Sequence, residues 1–231
     1  MEKFSKLEKS IGVKFKNKDL LKQSVVHRSY LNEHPEFELH HNERLEFLGD
    51  AVLEIIVTEY LYDNFPDTPE GDLTNWRASL VNAKMLAEVA SEIELEEFLY
   101  LSRGEAKDKN AKARQYILAN AVEALIGAIY LDDGIKKSTK FVSEKIIVKL
   151  DHILEEKLYM DPKSKFQEKA QELTKITPHY KVLSETGPDH AKTFEVGLYM
   201  GDELIAKGEG TSKQEGQIEA AGKGLKKKDW Q

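Results

Sequence analysis

Cysteine is absent from the 231 residues, which excludes disulfides and thiolate chemistry. No apolar run reaches the length of a membrane span. The longest, YILANAVEALIGAIYL from Tyr116 to Leu131, has 16 residues and contains both an Asn and a Glu. The opening MEKFSKLEKSIGVKF lacks the apolar core of a secretory signal. Internal repeats and low-complexity segments are missing as well. A basic excess, the usual mark of a nucleic-acid binder, is also lacking: 34 Lys+Arg stand against 41 Asp+Glu, a formal charge of −7. With 40% hydrophobic and 32% charged residues, these absences describe a soluble globular protein, expected in the cytoplasm with no membrane partner.

The deficit of basic charge is uneven. Residues 159–231 hold 12 Lys+Arg and 12 Asp+Glu, so the whole −7 lies in the preceding two-thirds. Two parts with different tasks are expected. Up to about His152 the segments read helical: NKDLLKQSVVHRSYL, then NERLEFLGDAVLEI, then Gly71 to Ile93. Next come the apolar helix, an Asp-Asp-Gly stop at 132–134, and KSTKFVSEKIIVKLDHIL. NFPDTPEGD reads as a loop and Ser102 to Gln115 as a polar, largely basic connector. Beyond the linker EEKLYMDP, Pro162 opens a short helix. HYKVLSE, KTFEVGLYM and LIAKGEG follow as strands, with Phe194, Val196, Leu198 and Met200 on one side. Ser212 caps a last helix. The expected architecture is an all-α domain over 1–155 and a small α-β-β-β-α domain over 160–230.

The unusual element is NERLEFLGDAVLEI. At roughly 100° per residue Glu43, Glu46, Asp50 and Glu54 fall within about 80° of one another, opposite Leu45, Leu48, Val52 and Ile56. Like charges four residues apart disfavour a helix. Phe47 lies inside that acidic face, and Gly49 costs about 1 kcal/mol relative to Ala in a helix. A solvated face is the plain reading. The chemical reading is a divalent cation, because Mg²⁺ requires clustered carboxylate oxygens. A second pair, Asn120 and Glu123, lies three residues apart on an otherwise apolar helix. It either reaches solvent at a helix edge or faces Glu46 and Asp50 across a helix–helix contact, as metal sites in helical domains are built.

HNERLEFLGDAVL (His41 to Leu53) resembles the signature of ribonuclease III endonucleases. The likeness extends to HRSY at 27–30, EGDLTNWRASLV at 70–81 and EALIGAIYLDDG at 123–134. DPKSKFQE, GPDHAKTF and GEGTSK resemble a double-stranded RNA-binding domain, and together these cover almost the whole chain. The resemblance implies a homodimeric endonuclease that cuts double-stranded RNA in ribosomal and other RNA processing. It implies products with a 5′-phosphate, a 3′-hydroxyl and short 3′ overhangs. Glu46, Asp50, Asn120 and Glu123 would then ligate Mg²⁺, with Mn²⁺ able to substitute. Asp50 and Glu123 would stand closest to the chemistry, Glu43 and Glu70 would be auxiliary carboxylates, and Phe47 would plug the dimer interface. Ser164, Gln167, His190 and Lys213 match positions that touch duplex RNA.

Two departures from that pattern matter. Asn120 stands where the family usually has Asp, so one ligand carries no charge. A duplex-RNA binder with impaired cleavage is therefore the alternative reading, and a helical metal-binding scaffold without RNA a third. In the last helix Gln214 and Glu215 follow Lys213 where the family places a basic run, and the net charge of zero over 159–231 implies modest, salt-sensitive RNA affinity. Lys213 alone also reads as an ordinary surface lysine. Lys109, Lys112 and Arg114 in the connector read equally as phosphate contacts or as a solvated loop. Lys226, Lys227 and Lys228 read as a solvated helix end.

Overall fold

The computed structural model describes residues 2–188 and 192–230. Their contacts divide into two units, Met1–Glu155 and Glu156–Gln231. The first is helical: α1 (Glu2–Ile11), α2 (Lys18–Ser24), α3 (Arg28–Glu33), α4 (Glu43–Asn64), α5 (Glu70–Val81), α6 (Ala83–Glu92), α7 (Arg103–Lys107), α8 (Ala111–Asp133), α9 (Ile135–Lys145) and α10 (Leu150–Glu155), with short 3₁₀ turns at Leu95–Phe98 and Ile147–Lys149. None is long and apolar enough to cross a membrane, among the described residues.

The centre of this unit is the crossing of α4 and α8, made possible by two glycines. A Cβ on Gly49 would lie 1.7 Å from the Glu123 carbonyl oxygen, and one on Gly127 would lie 2.2 Å from that of Leu45. The two backbones therefore touch where any side chain would hold them apart. Gly49 does not interrupt the acidic helix, despite its low helix propensity; it belongs to the buried stripe with Leu45, Val52, Leu53 and Ile56. On α8 the facing stripe includes Ala119, Val122, Ile126 and Gly127, all buried. Gly49→Ala should lower unfolding free energy by about 3 kcal/mol or more, the upper range for overpacking. This reverses the stabilisation of about 1 kcal/mol expected from helix propensity alone. A urea midpoint equal to or above that of the parent would refute the backbone contact.

Several expected helices are broken into shorter ones. The 71–93 segment divides at Asn82, which serves both halves. Its Oδ1 accepts from Met85 N at 3.0 Å, and its Nδ2 donates to the Ala78 and Ser79 carbonyls at 3.1 and 2.9 Å. The segment 17–31 breaks at Val26, which bridges Tyr100 in parallel. The buried Asn42 ties the start of α4 to that break, its backbone N donating to Val26 O at 2.8 Å and its Nδ2 to Ser24 O at 3.2 Å. The 137–154 segment breaks at Ile146. The connector 102–115 contains α7, opened by Ser102, and the first turn of α8, opened by Asn110. Arg114 closes it by donating to the Glu105 and Ala106 carbonyls and by pairing with Glu96.

The second unit is α11 (Pro162–Thr174), β1 (Pro178–Thr186), β2 (Thr193–Met200), β3 (Glu203–Gly210) and α12 (Lys213–Lys228), with an antiparallel sheet ordered β1-β2-β3. Period-two alternation puts Leu198, Met200 and Ile205 on the face covered by the helices. There they pack with Phe166, Ala170, Ala220, Ala221 and Leu225. Bulges follow Val182 and Leu198. α12 lies against β3, since a Cβ on Gly208 would meet Ala220 N at 2.2 Å. Asp161 caps α11 and Ser212 caps α12. Lys227 donates to Ile205 O at 2.8 Å and Lys228 pairs with Glu203, so two of the three terminal lysines bind the domain's own strand.

Candidate functional site

The glycine crossing gives α4 and α8 a common polar edge. Glu46 and Asp50 lie one turn apart on α4, and Asn120 and Glu123 lie three residues apart on α8. The Asn120 side chain hydrogen-bonds the Glu46 carboxylate. Glu123 is half-buried. Burial first, then the charges of Asp50, Glu46 and Glu54, push its carboxyl up to about 7. Burial and the Glu43 charge also raise Glu46; the Asn120 hydrogen bond opposes them, and Asp50 adds to them. Glu123 on α8 thus senses three carboxylates of α4.

That donor set fits a hard dication. The oxygens are carboxylate and amide, neighbouring charges raise the proton affinity of Glu46 and Glu123, and a 2+ ion is what would relieve them. Among the described residues no three His, Cys, Asp or Glu side chains converge into a ready-made ion cage. The fit is therefore one of charge and donor type.

A cavity of about 320 Å³ opens beside this edge, lined by His27, Glu43, Glu46, Glu105, Tyr116 and Asn120 among others. His27 Nδ1 accepts from Ser29 N and lies 2.8 Å from Ser29 Oγ. Burial lowers its pKa first, against the raising charges of Glu105 and Glu43. Glu43, in the first turn of α4, is exposed and paired with Arg28 at 3.5 Å and His41 at 3.8 Å. Glu70 lies elsewhere in this chain, at the first turn of α5. There it accepts from Thr74 Oγ1 at 3.0 Å and lines a different cavity, of about 270 Å³, with Thr58, Tyr62, Leu73 and Arg77. Phe47 projects from α4 with 83% of its surface exposed, on the same helix turn as Glu46 and Asp50.

In the second unit Ser164 and Gln167 are exposed one turn apart on α11. Lys213 is exposed at the start of α12, its Nζ 5.7 Å from the Phe194 ring centroid. His190 lies outside the described residues. Two participants carried no usable signal in the sequence. His27 and Arg77 sit within HRSY and EGDLTNWRASLV, yet their contacts with the acidic helix and its cavity come from other helices.

Comparison with known proteins bears on both units. The family profile described as "Ribonuclease-III-like" matches residues 17–150, and "Double-stranded RNA binding motif" matches 162–228. The chain is 45% identical over 224 residues to "Ribonuclease 3" of Carboxydothermus hydrogenoformans, covering 97% of this chain and 95% of that protein. It is 42% identical over 225 residues to "Ribonuclease 3" of Campylobacter fetus, covering 97% and 98%. Among solved structures it resembles the nuclease domain of ribonuclease III from Campylobacter jejuni. That match has TM-score 0.54 and 40% identity, and covers 61% of this chain and 94% of that one. The Campylobacter jejuni domain is described as structurally flexible in a region involved in dimer formation.

Proposed function

Because the chain belongs to the ribonuclease III family of endoribonucleases, we propose that it is a homodimeric, Mg²⁺-dependent endonuclease of double-stranded RNA. It leaves 5′-phosphates and short 3′ overhangs in ribosomal and other RNA processing. Residues 1–155 cut, and residues 160–230 hold the duplex. The observation that carries this reading is the α4–α8 crossing, which sets Glu46 and Asp50 beside Asn120 and Glu123 in one electrostatically coupled group.

Glu46, Asp50, Glu123 and the Asn120 side-chain oxygen would hold Mg²⁺, or Mn²⁺ in its place. When bound, such an ion polarises the phosphodiester and activates water. The chain's own residues do the rest. Glu123, its carboxyl pushed up to about 7 in the metal-free chain, gives up that proton when it binds the ion. Glu43 and Glu70 serve as auxiliary carboxylates, Glu70 reaching a site only through the assembled dimer. Ser164, Gln167, His190 and Lys213 contact the minor groove and phosphates. Phe47 joins the two copies, a reading supported by its exposure on α4 beside Glu46. Incubating the protein with perfect duplex RNA and Mg²⁺, and separately with Mn²⁺, should give short duplex products. Intact RNA under both ions would overturn the reading.

One observation favours the binding-only alternative. Asn120 is neutral and already donates to Glu46, occupying a carboxylate that the cation needs. Asn120→Asp replaces that donor by a charge which only a cation can satisfy. The Mg²⁺ concentration for half-maximal cleavage should fall about tenfold, the effect of about 1.4 kcal/mol in ion affinity. An unchanged Mg²⁺ titration and rate would remove position 120 from the ligand set.

A further inference from the structure

Four carboxylates stack along α4, and their partners divide them. Glu43 at one end is paired with Arg28 and His41. Glu54 at the other is paired with Arg77 of α5, Nε to Oε2 at 2.9 Å. Glu46 and Asp50 between them have no ion pair among the described residues. We propose that Arg77 is a positioning residue that withdraws Glu54 from the acidic row, confining the cation-binding carboxylates to Glu46, Asp50 and Glu123. This rests on the metal-dependent reading above.

The geometry makes the withdrawal specific. While Nε binds Glu54, NH1 of the same guanidinium donates to Thr58 Oγ1 at 3.0 Å. Glu54 and Thr58 are one turn apart on α4, so a planar fork bridging both fixes its own plane and the carboxylate together. A lysine ammonium has no such fork. Both ionic side chains are about a third exposed, 35% for Arg77 and 37% for Glu54. A pair so solvated contributes little to stability, which leaves placement as its main consequence. Placement matters because Glu54 follows Asp50 by four residues and its charge reaches Glu123. Released, it would offer a cation a competing carboxylate one helical turn from Asp50.

Mn²⁺ binding to the full-length protein, followed by electron paramagnetic resonance, tests this without requiring turnover. Glu54→Gln should bind Mn²⁺ within twofold of the parent. Arg77→Gln should bind it at least threefold tighter, with a higher Mg²⁺ optimum for cleavage of duplex RNA, as ions settle at the wrong carboxylates. The double variant Arg77→Gln/Glu54→Gln should return to the Glu54→Gln value, and Arg77→Lys should fall between parent and Arg77→Gln. Tenfold weaker binding in Glu54→Gln would make Glu54 a ligand and sink the proposal, even if Arg77→Gln does not fold. Unchanged affinity in Arg77→Gln, or a shift that persists in the double variant, would reduce Arg77 to a strut between α4 and α5. Glu123→Gln in the same assay separates the two levels: if it leaves Mn²⁺ affinity intact, the metal-site reading itself has failed.

Discussion

Glu123→Gln should abolish cleavage of duplex RNA and, in the same protein without metal, raise the melting temperature at pH 8. Both effects follow from one side chain. The folded carboxyl titrates near 7, above the ordinary glutamate value of 4.5, because burial and three acidic neighbours disfavour its charge. The folded state therefore binds this proton more tightly than the unfolded chain does. Stability falls as pH rises from 4.5 to 7, and the full penalty is present above 7. Gln keeps the shape, has no charge to bury, and escapes that penalty. The melting difference should shrink toward nothing at about pH 5, where the native Glu123 is protonated. Cleavage should fall by about 10²-fold or more, the loss expected when several kcal/mol of metal-centred charge stabilisation disappears. Mg²⁺ should raise the melting temperature of the parent and much less that of the variant. Equal melting at pH 8 would deny the buried charge, and retained cleavage would remove Glu123 from the reacting centre.

Phe47→Ala should dissociate the proposed homodimer. A phenylalanine 83% exposed amid carboxylates has no packing within its own chain that explains it. Burial of one such side chain is worth about 1.5–3 kcal/mol. In a two-fold interface each truncation counts twice, about 3–6 kcal/mol in total. The dimer dissociation constant should rise about 10²- to 10⁴-fold. Sedimentation at micromolar concentration should show the variant as monomer, and cleavage of both strands at one position should be lost. The fold of the monomer should survive, because the residue touches no core. A dimer of unchanged affinity would place the interface elsewhere.

Much of this architecture was legible from local pattern. Period-two alternation placed β1 to β3, and helical periodicity placed α4 and α8. Pro162 opens α11 and Ser212 caps α12 where the sequence pattern sets them. Errors arose where a capping side chain or a long-range backbone bridge overrode a periodic pattern. Asn82 ends one helix and begins another while the apolar spacing continues through it. A single bridge between Val26 and Tyr100, 74 residues apart along the chain, breaks a stretch that reads as one helix. Arg114 reads as a basic loop residue and proves to be bound to two carbonyls and a carboxylate.

Local pattern fixes the inventory: a clustered row of carboxylates on one helix, an Asn–Glu pair on another, a stranded aromatic, and a separate electrically neutral α/β unit. Those follow from side-chain type and from the helical and strand periods of about 3.6 and 2 residues, which are local properties. Tertiary structure decided which members of the inventory act together. Gly49 and Gly127 look like helix defects in one dimension, yet their missing Cβ atoms let two backbones touch and bring four polar groups to one edge. The packing of α5 on α4 turned Arg77 toward Glu54 and set Glu70 in a different cavity. Proximity between distant residues depends on how closely helices can approach, and steric fit at a crossing is a property of the pair.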